Sequence, residues 1–206
     1  MPVAAPRRRT AKKFIIGPEH DGRRMSLDDF DQWPVQDGYF YELGRGVVQV
    51  SNVPLLPHGV QVQNIRNQLG AYQMALPRKL AYILMGNDAK VLVGTLQSER
   101  HPDLLLYLSE PPEVSNAMWK TWIPEIVIEV VSPSSAKRDY EEKPQEYLDF
   151  GVREYWIVDA FKNRMSVLQR YSGQWKEKII KPGQKYKTAL LPKFTFDLKK
   201  VLAAAK

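Results

Sequence analysis

The chain has 206 residues, 44% hydrophobic and 26% charged, with a formal charge of +7 and no cysteine. That length supports one sizeable core, or one domain with appendages, and the absence of thiols excludes a disulfide framework, a cysteine nucleophile and a thiolate metal site. The three histidines (His20, His58, His101) lack ligand spacing, no apolar run approaches the ~18 residues of a membrane span, and no apolar signal core follows the N-terminal arginines, so the expectation is a cytoplasmic globular protein without a membrane partner.

Residues 1–24 carry a net +5 and read as a mostly disordered basic arm with Arg7, Arg8, Arg9, Lys12 and Lys13, and one short extended stretch at Phe14 to Ile16. Residues 25–206 read as a single domain. Ser26-Leu27-Asp28-Asp29 caps a short helix running to about Trp33. Tyr39 to Leu43 and Val47 to Val50 form a tight hairpin across Gly44-Arg45-Gly46. Pro57 to Leu76 is a helix, because Val62, Ile65, Leu69, Tyr72 and Leu76 recur at three and four. Leu80 to Met85, Ala89 to Val93 and Leu104 to Leu108 are strands, and a loop then runs to about Trp122. Ile126 to Val131 is a central strand, apolar on both faces. Asp139 to Phe150 is a helix stopped by Gly151. Glu154 to Val158 is a further strand, Met165 to Tyr171 and Trp175 to Ile180 a hairpin, and Leu198 to Ala205 a last helix. The order is mixed α/β without regular βαβα alternation. Charge follows it unevenly, with −8 over residues 25–160 and +10 over 161–206. Basic ends suit phosphate backbones and an acidic middle suits a cation, beside the plainer reading of solvated surface charge.

Four residues conflict with their local pattern. Glu129 sits within Ile126-Val127-Ile128-Glu129-Val130-Val131, where a carboxylate costs several kcal/mol unless paired, protonated or on a metal. An edge strand or a core arginine would also explain it. Asp103 opens a strand after Pro102, which alone is ordinary turn chemistry. Two carboxylates on neighbouring strands, however, make a Mg²⁺ site with water and phosphate. Lys143 falls on the stripe Tyr140, Lys143, Tyr147, Phe150, pointing an ammonium inward unless its stem merely snorkels. His58 extends the apolar stripe at a helix start, where the dipole favours a neutral ring. Glu42 lies among Tyr and Phe in the first hairpin. Both of these last two are also explained as satisfied, partly buried residues.

Taken together, Pro102-Asp103-Leu104, then Pro124 to Ser135 (PEIVIEVVSPSS), Arg138-Asp139, Lys143, Tyr147 and Gly151 to Asp159 (GVREYWIVD) resemble the Uma-type restriction endonucleases, a family expanded in cyanobacteria. Tyr41-Glu42-Leu43, Gly46 and His58 fit the pattern upstream, and the likeness covers about residues 25–200. It implies a restriction-endonuclease-like core, a mixed central β-sheet flanked by helices, with extra β-hairpins. It further implies Asp103 and Glu129 as carboxylates of a PD…(D/E)xK motif holding Mg²⁺ or Mn²⁺, with the Val130 carbonyl as a further ligand. The motif lysine belongs at 131, where this chain has Val131, and Lys143 matches the displaced position seen in families of this type. Pro144 directly after it forecasts a late or kinked helix start. Glu42 and His58 join the expected catalytic set, and the basic arm is expected to grip DNA. The expected activity is a Mg²⁺-dependent DNA endonuclease, as a homodimer suited to duplex symmetry. The alternative is an inactive nucleic-acid-binding or regulatory module on the same fold.

Overall fold

The structure, a computed structural model, describes residues 14–203. Its elements in chain order are α1 (Leu27–Gln32), β1 (Tyr39–Gly44), β2 (Val47–Asn52), α2 (Leu56–Ala75), β3 (Tyr82–Leu84), β4 (Val91–Val93), β5 (Ser98–Arg100), β6 (Leu104–Tyr107), β7 (Ile126–Val130), a π-helical turn (Arg138–Glu142), α3 (Lys143–Phe150), β8 (Glu154–Asp159), β9 (Arg164–Tyr171), β10 (Gln174–Ile180), β11 (Lys185–Tyr186), β12 (Phe196–Asp197) and α4 (Leu198–Ala203). No helix among the described residues is long and apolar enough to cross a membrane.

The main sheet has six strands in the order β10-β9-β8-β7-β6-β3. All its pairs are antiparallel except β7 with β8. That one parallel pair needs a crossover, which the π turn and α3 supply. As expected for Ile126-Val127-Ile128, β7 is interior and buried along its whole length. Strand alternation sorts its side chains. Ile126, Ile128 and Val130 face the α2 and α4 stripe of Val62, Ile65, Leu69, Val201 and Leu202. Val127 and Val131 face Tyr147, Tyr155 and Ile157 on the other side. Glu129 has the parity of this second face. A four-stranded antiparallel sheet, β2-β1-β5-β4, stands beside the main one.

Three expectations change. Residues 14–24 belong to the folded domain rather than to the arm. Ile16 is fully buried in one cluster with Leu27 and Phe30 of α1 and bridges Val35, and Arg24 bridges Val47, while Phe14 and Ile15 stay exposed; burying Ile16 favours the docked segment. Arg7, Arg8, Arg9, Lys12 and Lys13 lie outside the described residues. The segment Asp139 to Phe150 is not one regular helix: its first turn is π-helical and α3 begins at Lys143. Strand β5, Ser98-Glu99-Arg100, has no apolar signature and forms because β1 and β4 pair on its two edges.

Candidate active site

Strands β6 and β7 run antiparallel with Leu104 opposite Ile128, so Asp103 falls beside Glu129 at the sheet's edge. The two are laced by backbone bonds. The Val130 N–H donates to Asp103 Oδ2 at 2.7 Å, and the Asp103 N–H reaches Glu129 Oε2 at 3.4 Å. Glu129 is 4% exposed. Its Oε1 accepts from Lys143 Nζ at 2.8 Å and from the Tyr147 hydroxyl at 2.8 Å. Burial pushes the Glu129 carboxyl well above the usual range, and Asp139, Asp103 and Glu42 add to this against the nearby Lys143 ammonium.

Lys143 is buried among three carboxylates: Glu129, Glu42 at 3.3 Å and Asp139 at 3.4 Å. Burial alone would lower its pKa, but these partners outweigh it and raise it, so Nζ stays an ammonium. The same proximity, with Arg100 and the His101 N–H, overcomes burial at Glu42 and holds its carboxyl well below the ordinary value. Pro144 does not displace the ammonium from Glu129. Lys143 keeps right-handed helical angles, and its N–H donates to the Arg138 carbonyl five residues back. In that spacing residue 144 would serve the Asp139 carbonyl, and proline has no N–H to give. The Tyr155 hydroxyl supplies the donor instead, at 3.0 Å from the Asp139 oxygen.

Four residues beyond the sequence-derived set complete the cluster. Arg100 is fully buried and grips Glu146 with two bonds, Nε to Oε2 at 2.6 Å and NH2 to Oε1 at 3.0 Å. It also reaches Glu42 at 3.3 Å and donates to Gln49, tying β1, β2 and β5 to α3. A Cβ at Gly44 would stand 2.5 Å from Arg100 NH2, so only glycine leaves room for the guanidinium. Asp139 is 1% exposed, and its Oδ2 accepts the Ser135 hydroxyl at 2.6 Å. Its Oδ1 receives no hydrogen bond among the described residues, and Lys143 Nζ faces it as an ion pair at 3.4 Å. Asp139 and Tyr147 flank Lys143 at i−4 and i+4, a spacing legible in the sequence. Arg100 and Glu146 meet only through the fold.

His58 opens α2 and reaches the same edge from the opposite face. Its Nε2 is 2.9 Å from the Val130 carbonyl and 3.3 Å from Asp103 Oδ2. The expected neutral ring is not what this geometry favours. Burial lowers the His58 pKa, but the Asp103 carboxylate and the Val130 carbonyl outweigh it and raise it. The structure thus brings together all five expected site residues, Glu42, His58, Asp103, Glu129 and Lys143, and sets the Val130 carbonyl against the imidazole.

The donor set fits a divalent cation by its charge. Six carboxylates, Glu42, Asp103, Glu129, Asp139, Glu142 and Glu146, face Lys143, Arg100, the more exposed Arg45 and the His58 imidazole. The excess of negative charge matches the upward shifts of the Glu129 and Asp139 carboxyls, to which their carboxylate neighbours add. No three His, Cys, Asp or Glu side chains among the described residues converge into a ready-made metal cage. Mg²⁺ does not require one, since it binds through one or two carboxylates with water and phosphate oxygens. Asp103 and Glu129 meet that requirement.

The family model "Uma2: Putative restriction endonuclease" matches residues 27–199. Among solved structures, a "putative nuclease belonging to DUF820" from Anabaena variabilis ATCC 29413 superposes with a TM-score of 0.73 at 16% identity, covering 88% of this chain and 99% of that one. At that identity the likeness shows the fold, a nuclease-type mixed sheet with flanking helices. No curated protein matches the chain. With the family match spanning nearly all the described residues, the chain belongs to the Uma2 family of putative restriction endonucleases.

Proposed function

We propose that the chain is a Mg²⁺- or Mn²⁺-dependent DNA endonuclease that hydrolyses phosphodiester bonds at the Asp103–Glu129 edge. The observation that carries this reading is Glu129: a carboxylate inside the central strand, beside a second carboxylate and bonded to an inward-pointing lysine. Asp103 and Glu129 would hold the metal, with the Val130 carbonyl joining them when the His58 ring gives it up. The bound ion supplies charge neutralisation at the phosphodiester and a more acidic water. The chain's own groups do the rest. Tyr147 and Lys143 fix the Glu129 carboxylate from one side. Lys143, held charged by Glu42 and Asp139, presents an ammonium that can orient a water or take up charge developing on phosphoryl oxygens. His58 Nε2, next to Asp103, is placed to hold a proton at the site's rim. Arg7, Arg8, Arg9, Lys12, Lys13 and the basic C-terminal region add sequence-independent affinity for phosphates. A homodimer would let two such sites face the two strands of a duplex.

The inactive binding module is favoured by one observation, the His58 imidazole on the Val130 carbonyl. Supercoiled plasmid and single-stranded DNA incubated with Mg²⁺ or Mn²⁺, against EDTA, decide between them. Metal-dependent cutting abolished in Asp103→Ala and Glu129→Ala is the expected result. Clean wild-type protein that binds metal and DNA without cutting would leave the binding module.

A further inference from the structure

The turn between β8 and β9 carries side chains that the catalytic reading leaves unused. Tyr155, Ile157 and Asp159 alternate onto one sheet face, and Ile157 is the register partner of Glu129, so Asp159 shares the face of the catalytic carboxylate. Asp159 is buried and organises the turn. Its Oδ1 accepts the Lys162 N–H at 2.8 Å, and its Oδ2 accepts the Tyr140 hydroxyl at 2.9 Å. Asn163 closes the turn in the left-handed region (φ 50°), with its N–H on the Ala160 carbonyl at 3.3 Å. On this fixed base Lys162 Nζ lies over the Tyr140 ring, 3.9 Å from its centroid, and the Arg164 guanidinium lies 5.8 Å from it.

The cations exceed what the fold uses. Asp159 is 3.9 Å from Lys162 Nζ, whose side chain is still 52% exposed. Arg164 makes no ion pair among the described residues, and its Nε is buried without a hydrogen-bond partner. Phe161, at the tip, is 68% exposed. Two cations and an exposed ring side by side match a nucleic-acid strand, which offers phosphates and π-faces in alternation.

The position agrees. Val131 donates its N–H to the Val158 carbonyl, and Asp159 pairs with Arg164. Arg164 therefore lies two strands from Val130, roughly 10 Å at ~4.8 Å per strand. Successive phosphates of a strand are farther apart than their ~3.4 Å axial rise, because each also rotates about the axis, so a phosphate about one or two nucleotides from the one at Asp103 and Glu129 would reach the turn. We propose that the β8–β9 turn is a phosphate clamp for the DNA strand being cut, with Lys162 and Arg164 on its backbone and Phe161 against a base. The clamp rests on the nuclease reading for its register and is tested separately from it.

The test is DNA binding by the full chain in EDTA, which excludes cutting. Fluorescein-labelled duplex and single-stranded DNA are titrated at several salt concentrations. The variant Lys162→Ala/Arg164→Ala is set against Arg78→Ala/Lys79→Ala, an exposed pair of equal charge beyond the far end of α2, about 30 Å from His58. The clamp variant should bind about tenfold more weakly near 0.1 M salt and lower the slope of log affinity on log salt by about 1.4–1.8. The Arg78/Lys79 pair should change both much less. The swap Lys162→Arg/Arg164→Lys should bind like wild type. Equal effects of the two alanine pairs, or a swap as weak as the alanine pair, would overturn the clamp. Wild type without DNA affinity would overturn the clamp and the nuclease reading together. Wild type that binds through the turn yet never cuts with metal would overturn only the nuclease reading.

Discussion

Lys143 is the residue whose removal the buried charges tolerate least. Glu129, Glu42 and Asp139 all lean on its ammonium, and Lys143→Met leaves Glu42 with Arg100 but Glu129 and Asp139 buried without a cation. Urea unfolding at pH 7 should show a loss of about 3–5 kcal/mol, shrinking at pH 5 as carboxyls take up protons. Glu129→Gln has the opposite character: it keeps an acceptor for Tyr147 and Lys143 and removes a charge the core disfavours. The sign follows from linkage. The folded Glu129 carboxyl is raised from the ordinary value of 4.5 to about 8. Its protonation therefore stabilises the fold fully below pH 4.5, and that contribution is lost as the pH rises through 8. Metal-free wild type should lose stability relative to Glu129→Gln across this window, and saturating Mg²⁺ should remove the loss. Stability curves that run parallel with pH would contradict the raised carboxyl. Glu129 and Lys143 were legible in the sequence because each breaks an apolar pattern, and Asp103 because it can meet Glu129 on a neighbouring strand. Arg100 was not, since Ser98-Glu99-Arg100 is polar throughout and its partner Glu146 lies 46 residues away on another element.

At the scale of elements, the π turn before α3 sets the reach of Lys143. Pro144 removes a donor, and Tyr155 restores one to the Asp139 carbonyl. Tyr155→Phe should cost about 1–3 kcal/mol by orphaning that buried oxygen. In a Pro144→Ala background, where an N–H is available again, the same change should cost clearly less, as a double-mutant cycle would read. Additive effects would mean that the two residues do not serve one carbonyl. The Pro144 signal was readable in the sequence, but its consequence was not. Proline predicts a broken helix, and only the packed Tyr155 decides that the break becomes a π turn. The same limit applies to β5 and to the β11–β12 pair, which are short and gain their strand character from neighbours. The long periodic elements, α2 and β7, were legible within one or two residues because their burial is written in their spacing.

For the whole molecule, the sheet places one chemical edge between two helical layers. β6 contributes Asp103, β7 contributes Glu129 and Val130, β8 and β9 contribute the turn with Lys162 and Arg164, and α2 and α3 bring His58 and Lys143 from opposite faces. The negative excess at one point of that edge and the positive excess beside it are complementary to a metal and a phosphate backbone. Isothermal calorimetry with Mn²⁺ at pH 7, in two buffers of different ionisation heat, examines the central claim directly. Wild type should bind the ion and release a proton, because the metal displaces the proton held by Glu129, while Asp103→Asn and Glu129→Gln should each lose the binding. Heats that are absent, or that persist unchanged in both variants, would contradict a divalent-cation seat at Asp103 and Glu129.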